Sequence, residues 1–208
     1  MLRLPLLVLA LFLCTGAPVL AEEPKAPDAA LKNTVEQFLG NLKLHAAEYR
    51  QDKASYYAMV DEVVAPRLDA PRIAWFALGR HARTATADQR KQFADLLTLN
   101  LLHSYANFML GSHTVMEVSW KPVHAEAGAD RATVHSVLTS ETGTQNEVGF
   151  SMQLADGDWK ICDLDVDGIS LELNYRTQLN AEIARTSLDA VIARMTQQES
   201  RARSISAR

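Results

Sequence analysis

At Gly111 the hydrophobic period of this chain changes from helical to alternating, and few folds accommodate such a switch. Before it, apolar residues recur at helical spacing. Leu31, Val35, Phe38, Leu39, Leu42 and Ala46 mark one face of a helix over Ala29–Tyr49, and Tyr56, Met59, Val60 and Val63 mark a second over Lys53–Val64. Pro66 ends or kinks that helix. Pro71 suits the first turn of the next, with Ile73, Trp75, Phe76 and Leu78 following until Gly79 interrupts. A long helix then begins near Ala87, and Thr86 with Gln89 has capping-box spacing at its start. After Gly111 the alternation predicts strands over Val115–Trp120, Arg131–Thr139, Glu147–Leu154 and Trp159–Val166, with Asp156-Gly157-Asp158 as a hairpin turn. Ser170–Ala184 and Ser187–Met195 return to helix. Segregated elements of this kind predict an α+β fold. Helices from both ends of the chain pack on a curved antiparallel sheet of about four strands, an arrangement resembling the NTF2-like superfold.

The long helix carries more apolar surface than one packed face requires. Phe93, Leu96, Leu97, Leu101, Tyr105, Phe108 and Met109 form one stripe, and Leu99, Leu102 and Leu110 lie off it. The expectation is that one face packs on the sheet and the other borders something that is not protein.

Residues 1–21 read as a separate unit. Arg3, the apolar run Leu4–Leu13 and Val19-Leu20-Ala21, with small residues at −3 and −1, have the form of a secretory signal peptide, with cleavage expected after Ala21. The run is too short to span a bilayer. Residues 22–28 read as a flexible leader, 29–196 as the folded domain and 197–208 as a polar, frayed tail. Loss of the signal peptide removes Cys14 and leaves Cys162 alone, with buried packing as its expected role. The net charge of −4 and the lack of any long Lys/Arg run point away from nucleic acid.

Motifs for covalent chemistry are missing. Asp163-Leu-Asp165-Val-Asp167-Gly168 copies the first half of a calcium loop, but Asn174 stands where the bidentate Glu is required. Gly168-Ile-Ser170-Leu-Glu172 lacks the second glycine of a nucleophile elbow. The six histidines are scattered, with none paired at helical spacing for a metal. What remains is the apolar surplus: Trp75, Phe76, Leu97, Leu101, Tyr105 and Phe108 from helices, and Met116, Val118, Val137, Phe150 and Met152 from strands. Periodicity alone does not separate residues that line a cavity from residues that fill a core.

Two blocks carry a family resemblance. Leu78-Gly79-Arg80-His81, followed by Ala85-Thr86-Ala87-Asp88-Gln89-Arg90-Lys91-Gln92-Phe93, resembles the turn and helix start of the MlaC family, also described as toluene-tolerance or auxiliary transport proteins. The second block is similar to that family in order and spacing: Trp159-Lys160-Ile161-Cys162-Asp163, then Val166-Asp167-Gly168-Ile169-Ser170, then Asn174-Tyr175-Arg176-Thr177-Gln178. The chain departs from the pattern at Cys162, where an aromatic is usual, at Leu179, which replaces a Phe, and at Ser187-Leu188-Asp189-Ala190-Val191, which lacks both glycines of the family run.

The resemblance implies a periplasmic phospholipid shuttle. Its expected partners are an inner-membrane ABC transporter with an MCE-domain ring and an outer-membrane lipoprotein complex, and it touches membranes only through them. No cofactor, metal or catalysis is implied. The acyl tails are expected in a cavity between sheet and helices, lined by the apolar surplus above together with Ile161, Val166 and Tyr175. Arg80, Arg83 and Arg176 are candidates for its rim or for partner contact. The residues alone leave two other readings open, an exported α+β enzyme acting on a small apolar substrate and a periplasmic protein-binding adaptor. The missing acid/base or metal constellation favours the carrier.

Overall fold

Asp52, Asp69, Thr86, Ser170 and Ser187 divide the chain into its helices. The structure, a computed structural model, describes residues 26–111, 115–123, 128–140 and 142–206. The signal-peptide reading of 1–21 lies outside them. In order, the helices before the sheet are α1 (Pro27–Gln51), α2 (Lys53–Val63), α3 (Ala70–Leu78) and α4 (Ala87–Gly111). The strands are β1 (Val115–Trp120), β2 (Arg131–Ser140), β3 (Gln145–Ala155), β4 (Asp158–Val166) and β5 (Ile169–Ser170), followed by α5 (Leu171–Arg185) and α6 (Leu188–Ser206).

Each helix start after α1 has a side-chain acceptor for an otherwise unpaired backbone N–H. Asp52 accepts from the Ser55 N–H at 3.1 Å, and Asp69 from the Arg72 N–H at 3.1 Å. The Thr86 box forms in both directions. The Gln89 N–H donates to Thr86 Oγ1 at 3.1 Å, and the Thr86 N–H donates to Gln89 Oε1 at 2.9 Å. Ser170 and Ser187 serve α5 and α6 in the same way. A serine cap therefore starts the last helix where the family run has glycines.

The strands form an antiparallel meander in the order β1-β2-β3-β4-β5. There are five strands, not the four expected. Asp156 and Gly157 turn β3 into β4 with positive φ at both positions (52° and 81°). Asp167 and Gly168 repeat the device (50° and 79°) and fold β5 back onto β4. The Asp163-Asp165-Asp167 run is thus a strand and its hairpin. Asp163 ties that hairpin to α5, accepting from the Ser170 hydroxyl at 2.7 Å and from the Glu172 N–H at 3.0 Å.

A bulge in β4 resets side-chain parity. Ser151 pairs with Asp163 and Met152 with Ile161, which leaves Cys162 as the extra residue. Trp159 and Ile161 before it, and Leu164 and Val166 after it, consequently share the helix-facing side.

The apolar interior has three parts. Residues 30 and 31 of α1 pack on the sheet with Val134, Val148, Phe150, Met152, Trp159 and Ile161. Leu42 and Tyr49, farther along α1, pack with α2 and the C-terminal half of α4. Phe93, Ala94 and Leu97 of α4 pack with α3, α5 and α6. Leu68, after the turn at Pro66, borders all three.

This corrects the expected place of α4. Its two apolar sides are buried by other helices, α3 and α6 on one side and α1 and α2 on the other. The helices that meet the sheet are α1, α3 and α5, together with the 3-10 turn Ala65–Arg67. The expected tail is corrected as well. Residues 197–206 continue α6, and Glu199 is buried with its carboxylate 3.4 Å from His103 Nδ1. His103 also lies 3.3 Å from Asp61 and stacks on Tyr57 at 4.1 Å between ring centres. The C-terminal helix is thereby joined to α2 and α4.

Candidate functional site

Arg72, Trp75 and Phe76 are spaced i, i+3 and i+4, so they share one face of α3, and Gly79 follows directly at its end. Ile73, Ala74, Ala77 and Leu78 occupy the other face and are buried. The outer face is therefore aromatic and cationic where solvent-facing helices are ordinarily plain polar. Trp75 is 50% exposed and Phe76 37%. The Arg72 guanidinium sits over the Phe76 ring, 5.6 Å from its centre.

α5 comes alongside at Gly79. That glycine ends α3 with φ of 54°, and a Cβ there would lie 3.1 Å from Arg176 Nε and 3.2 Å from Asn180 Oδ1. Asn180 holds the approach from the other side, donating to the Ala77 carbonyl at 2.8 Å. Arg80 and Arg83 follow on the short 3-10 turn Gly79–Arg83. The result is an open depression of about 920 Å³, lined by Asp69, Pro71, Arg72, Trp75, Phe76, Gly79, Arg80, Arg83 and Arg176. Its size is at the upper end for a ligand pocket. Both α3 and α5 also contact β4, so it lies beside a junction of the helical layer with the sheet.

The electrostatics of that junction are unbalanced. Burial pushes the Glu172 carboxyl up to about 7, Asp163 adds to the rise, and the charges of Arg176 and Arg72 oppose it. Burial also pushes the Cys162 thiol up, against Arg72. Cys162 Sγ donates to the Ser151 carbonyl at 3.2 Å. Among the described residues no group of His, Cys, Asp and Glu is arranged to hold a metal. The site can offer an apolar wall and a concentrated positive charge.

The candidate lining residues fall into separate places. Trp75 and Phe76 line the depression. Leu97 is fully buried among helices, with Leu101 and Tyr175 packed against the same cluster. Tyr105 is 39% exposed, and Tyr175 is near enough to reinforce the rise that burial gives its hydroxyl pKa. Phe150, Met152, Ile161 and Val166 belong to the sheet cluster. Val118 pairs with Leu138 on that same face. Val137 requires correction. It pairs with Ser119 and Glu147 on the opposite face of the sheet, because side chains alternate along β2. The Phe108 and Met116 side chains lie outside the described residues.

Arg80, Arg83 and Arg176, named from sequence as rim candidates, come together with Arg72, which sequence reasoning missed. The available signal was the i, i+3, i+4 spacing of an arginine with two aromatics on a helix whose other face is fully apolar.

The chain is 25% identical over 180 residues to the toluene tolerance protein ttg2D of Pseudomonas putida, covering 86% of this chain and 83% of the relative. Its fold matches the phospholipid-binding protein from Ralstonia solanacearum, solved in complex with a phospholipid, with a TM-score of 0.72 at 23% identity over 83% of this chain and 96% of that one. Residues 32–197 match the family described as MlaC protein. A match across that span of a 208-residue chain fixes the assignment: this protein belongs to the MlaC family.

Proposed function

We propose that this protein is an exported phospholipid carrier. It takes one lipid from a donor complex, encloses the acyl tails and delivers the lipid to an acceptor. In this reading the two ends of the route are an outer-membrane lipoprotein complex and an inner-membrane ABC transporter bearing an MCE-domain ring, and the protein meets membranes only through them. It performs no covalent chemistry. Family membership and the fold shared with a phospholipid-bound protein support the reading.

The observation that carries it is the placement of large apolar side chains on the surface around one depression. Trp75 and Phe76 line it, and Leu173, 63% exposed, is one helical turn from Arg176. Water-facing aromatics beside a cavity are expected of a protein that covers them with a ligand. Two acyl chains hold about 30 methylenes, and at about 0.8 kcal/mol each their exposure to water costs on the order of 20 kcal/mol. A carrier must therefore enclose nearly all of both tails. A bilayer offers almost the same gain, so loading and release are nearly balanced and a docked partner can bias them. The half-buried sheet-face residues Val118, Leu154, Leu164 and Val166, with the adaptable Met152, are the wall proposed for the tails, together with the aromatics of α3.

Uptake of labelled phospholipid from vesicles tests the function. The wild-type chain is expected to extract lipid, and Trp75→Asp, a change at a half-exposed position, is expected to fold normally and extract much less. A wild-type protein that leaves vesicle lipid untouched contradicts the reading.

A further inference from the structure

Three arginines in other parts of the described structure are answered by oxygen. Arg67 pairs with Asp158 at 2.8 Å and Arg194 with Glu182 at 2.7 Å. Arg90 donates to the carbonyls of Ala82 and Ala85. The depression gathers four that are not. Arg72, Arg80, Arg83 and Arg176 all line it, and among the described residues none of the four forms an ion pair. Arg72 Nε is buried with no hydrogen-bond partner. Arg80 Nε donates to a ring nitrogen, His81 Nε2, at 3.3 Å rather than to a carboxylate. Asp69, the one carboxylate in the lining, already accepts from the Arg72 N–H as the cap of α3. Four like charges around one concavity repel each other, and a bound anion removes that repulsion. A buried guanidinium nitrogen without an acceptor costs free energy until one arrives.

We propose that this depression is an anion subsite that takes a phosphate group, monoester or diester, on the guanidinium groups of Arg72 and Arg176, with Arg80 and Arg83 at its rim. The planar fork of a guanidinium matches two phosphate oxygens at once, which an ammonium cannot do. The aromatic rings of Trp75 and Phe76 stand beside the cationic groups, so an amphiphile finds its charged and apolar surfaces met within one cavity. The source of the phosphate rests on the carrier reading: a carried phospholipid presents it as the head-group diester. A free phosphate presents the same oxygens. Glu172 competes for the same charges, since the fields of Arg176 and Arg72 both reach its carboxylate.

The test uses the whole exported chain in two arms. Inorganic phosphate is titrated in and followed by calorimetry and phosphorus line broadening. Uptake of labelled phosphatidylglycerol from vesicles is measured beside uptake of labelled diacylglycerol, which has tails and no phosphate. The double variant Arg80→Gln, Arg176→Gln alters exposed side chains only. It is expected to lower phosphatidylglycerol uptake on the order of tenfold and to leave diacylglycerol uptake unchanged. Glu172→Gln is expected to move phosphatidylglycerol uptake the other way, a gain that misfolding cannot produce.

Phosphatidylglycerol uptake indifferent to the arginines overturns the subsite and leaves the carrier standing. A fall in both lipids together overturns it too, because the arginines then act through shape. Arginine-dependent binding of inorganic phosphate by a protein that extracts no lipid supports the subsite, identifies free phosphate as its ligand and overturns the carrier.

Discussion

Gly79 holds the candidate site together by having no side chain. It combines a positive φ with a separation from Arg176 that a Cβ would crowd. Gly79→Ala is expected to cost about 1–3 kcal/mol, the usual range for a residue forced into a sparsely populated backbone region. The urea midpoint measures it. An unchanged midpoint would mean that α3 and α5 separate without penalty at this point. Glu172 supplies a second residue-scale test. Its folded pKa of about 7 stands above the ordinary value of 4.5, so the folded state holds this proton more tightly than the unfolded chain does. The stability it contributes is complete below about pH 4.5 and is lost as the pH rises through about 7. Between those limits Glu172→Gln should show a flatter dependence of stability on pH than wild type. Equal slopes in the two proteins would contradict the assignment.

At the scale of elements, the cap of α4 has two functions. Thr86 and Gln89 exchange hydrogen bonds, and Gln89 Nε2 also donates to Asp189 on α6 at 2.6 Å. Thr86→Ala is expected to destabilise the fold by about 1 kcal/mol. Gln89→Ala should cost more, since it loosens the α4–α6 contact as well, and urea titration of both variants checks the order. This cap was legible in the sequence because it depends on two residues three apart. The four long strands were legible for the same reason, alternation being local.

What sequence could not supply was the partner of each face. The two apolar sides of α4 showed that it is buried twice, but a helix packed by helices and a helix packed on a sheet bear the same stripe. Val137 was misplaced for a related cause: its neighbours Val134 and Leu138 are also apolar, and only the register says which of them faces inward. The fifth strand was missed although its signal was present. Asp167-Gly168 repeats the dipeptide that turns β3 into β4, and its resemblance to half a calcium loop concealed the likeness. Ile161 and Val166 differ in parity, and the bulge at Cys162 brings them to one face.

For the molecule as a whole, the three apolar clusters bury the facing sides of the helices, and two of the large apolar side chains left to water, Trp75 and Phe76, stand beside an arginine-lined depression. That division suits the proposed carrier: a packed helical body, with the candidate site at the outer face of α3 and away from the α4 core. Native mass spectrometry of the protein purified from the cells that export it, combined with lipid extraction, tests the central claim most directly. The account predicts a 1:1 complex with phospholipid, released on denaturation. Protein that is uniformly lipid-free, and that also fails to load from phospholipid vesicles, would contradict it.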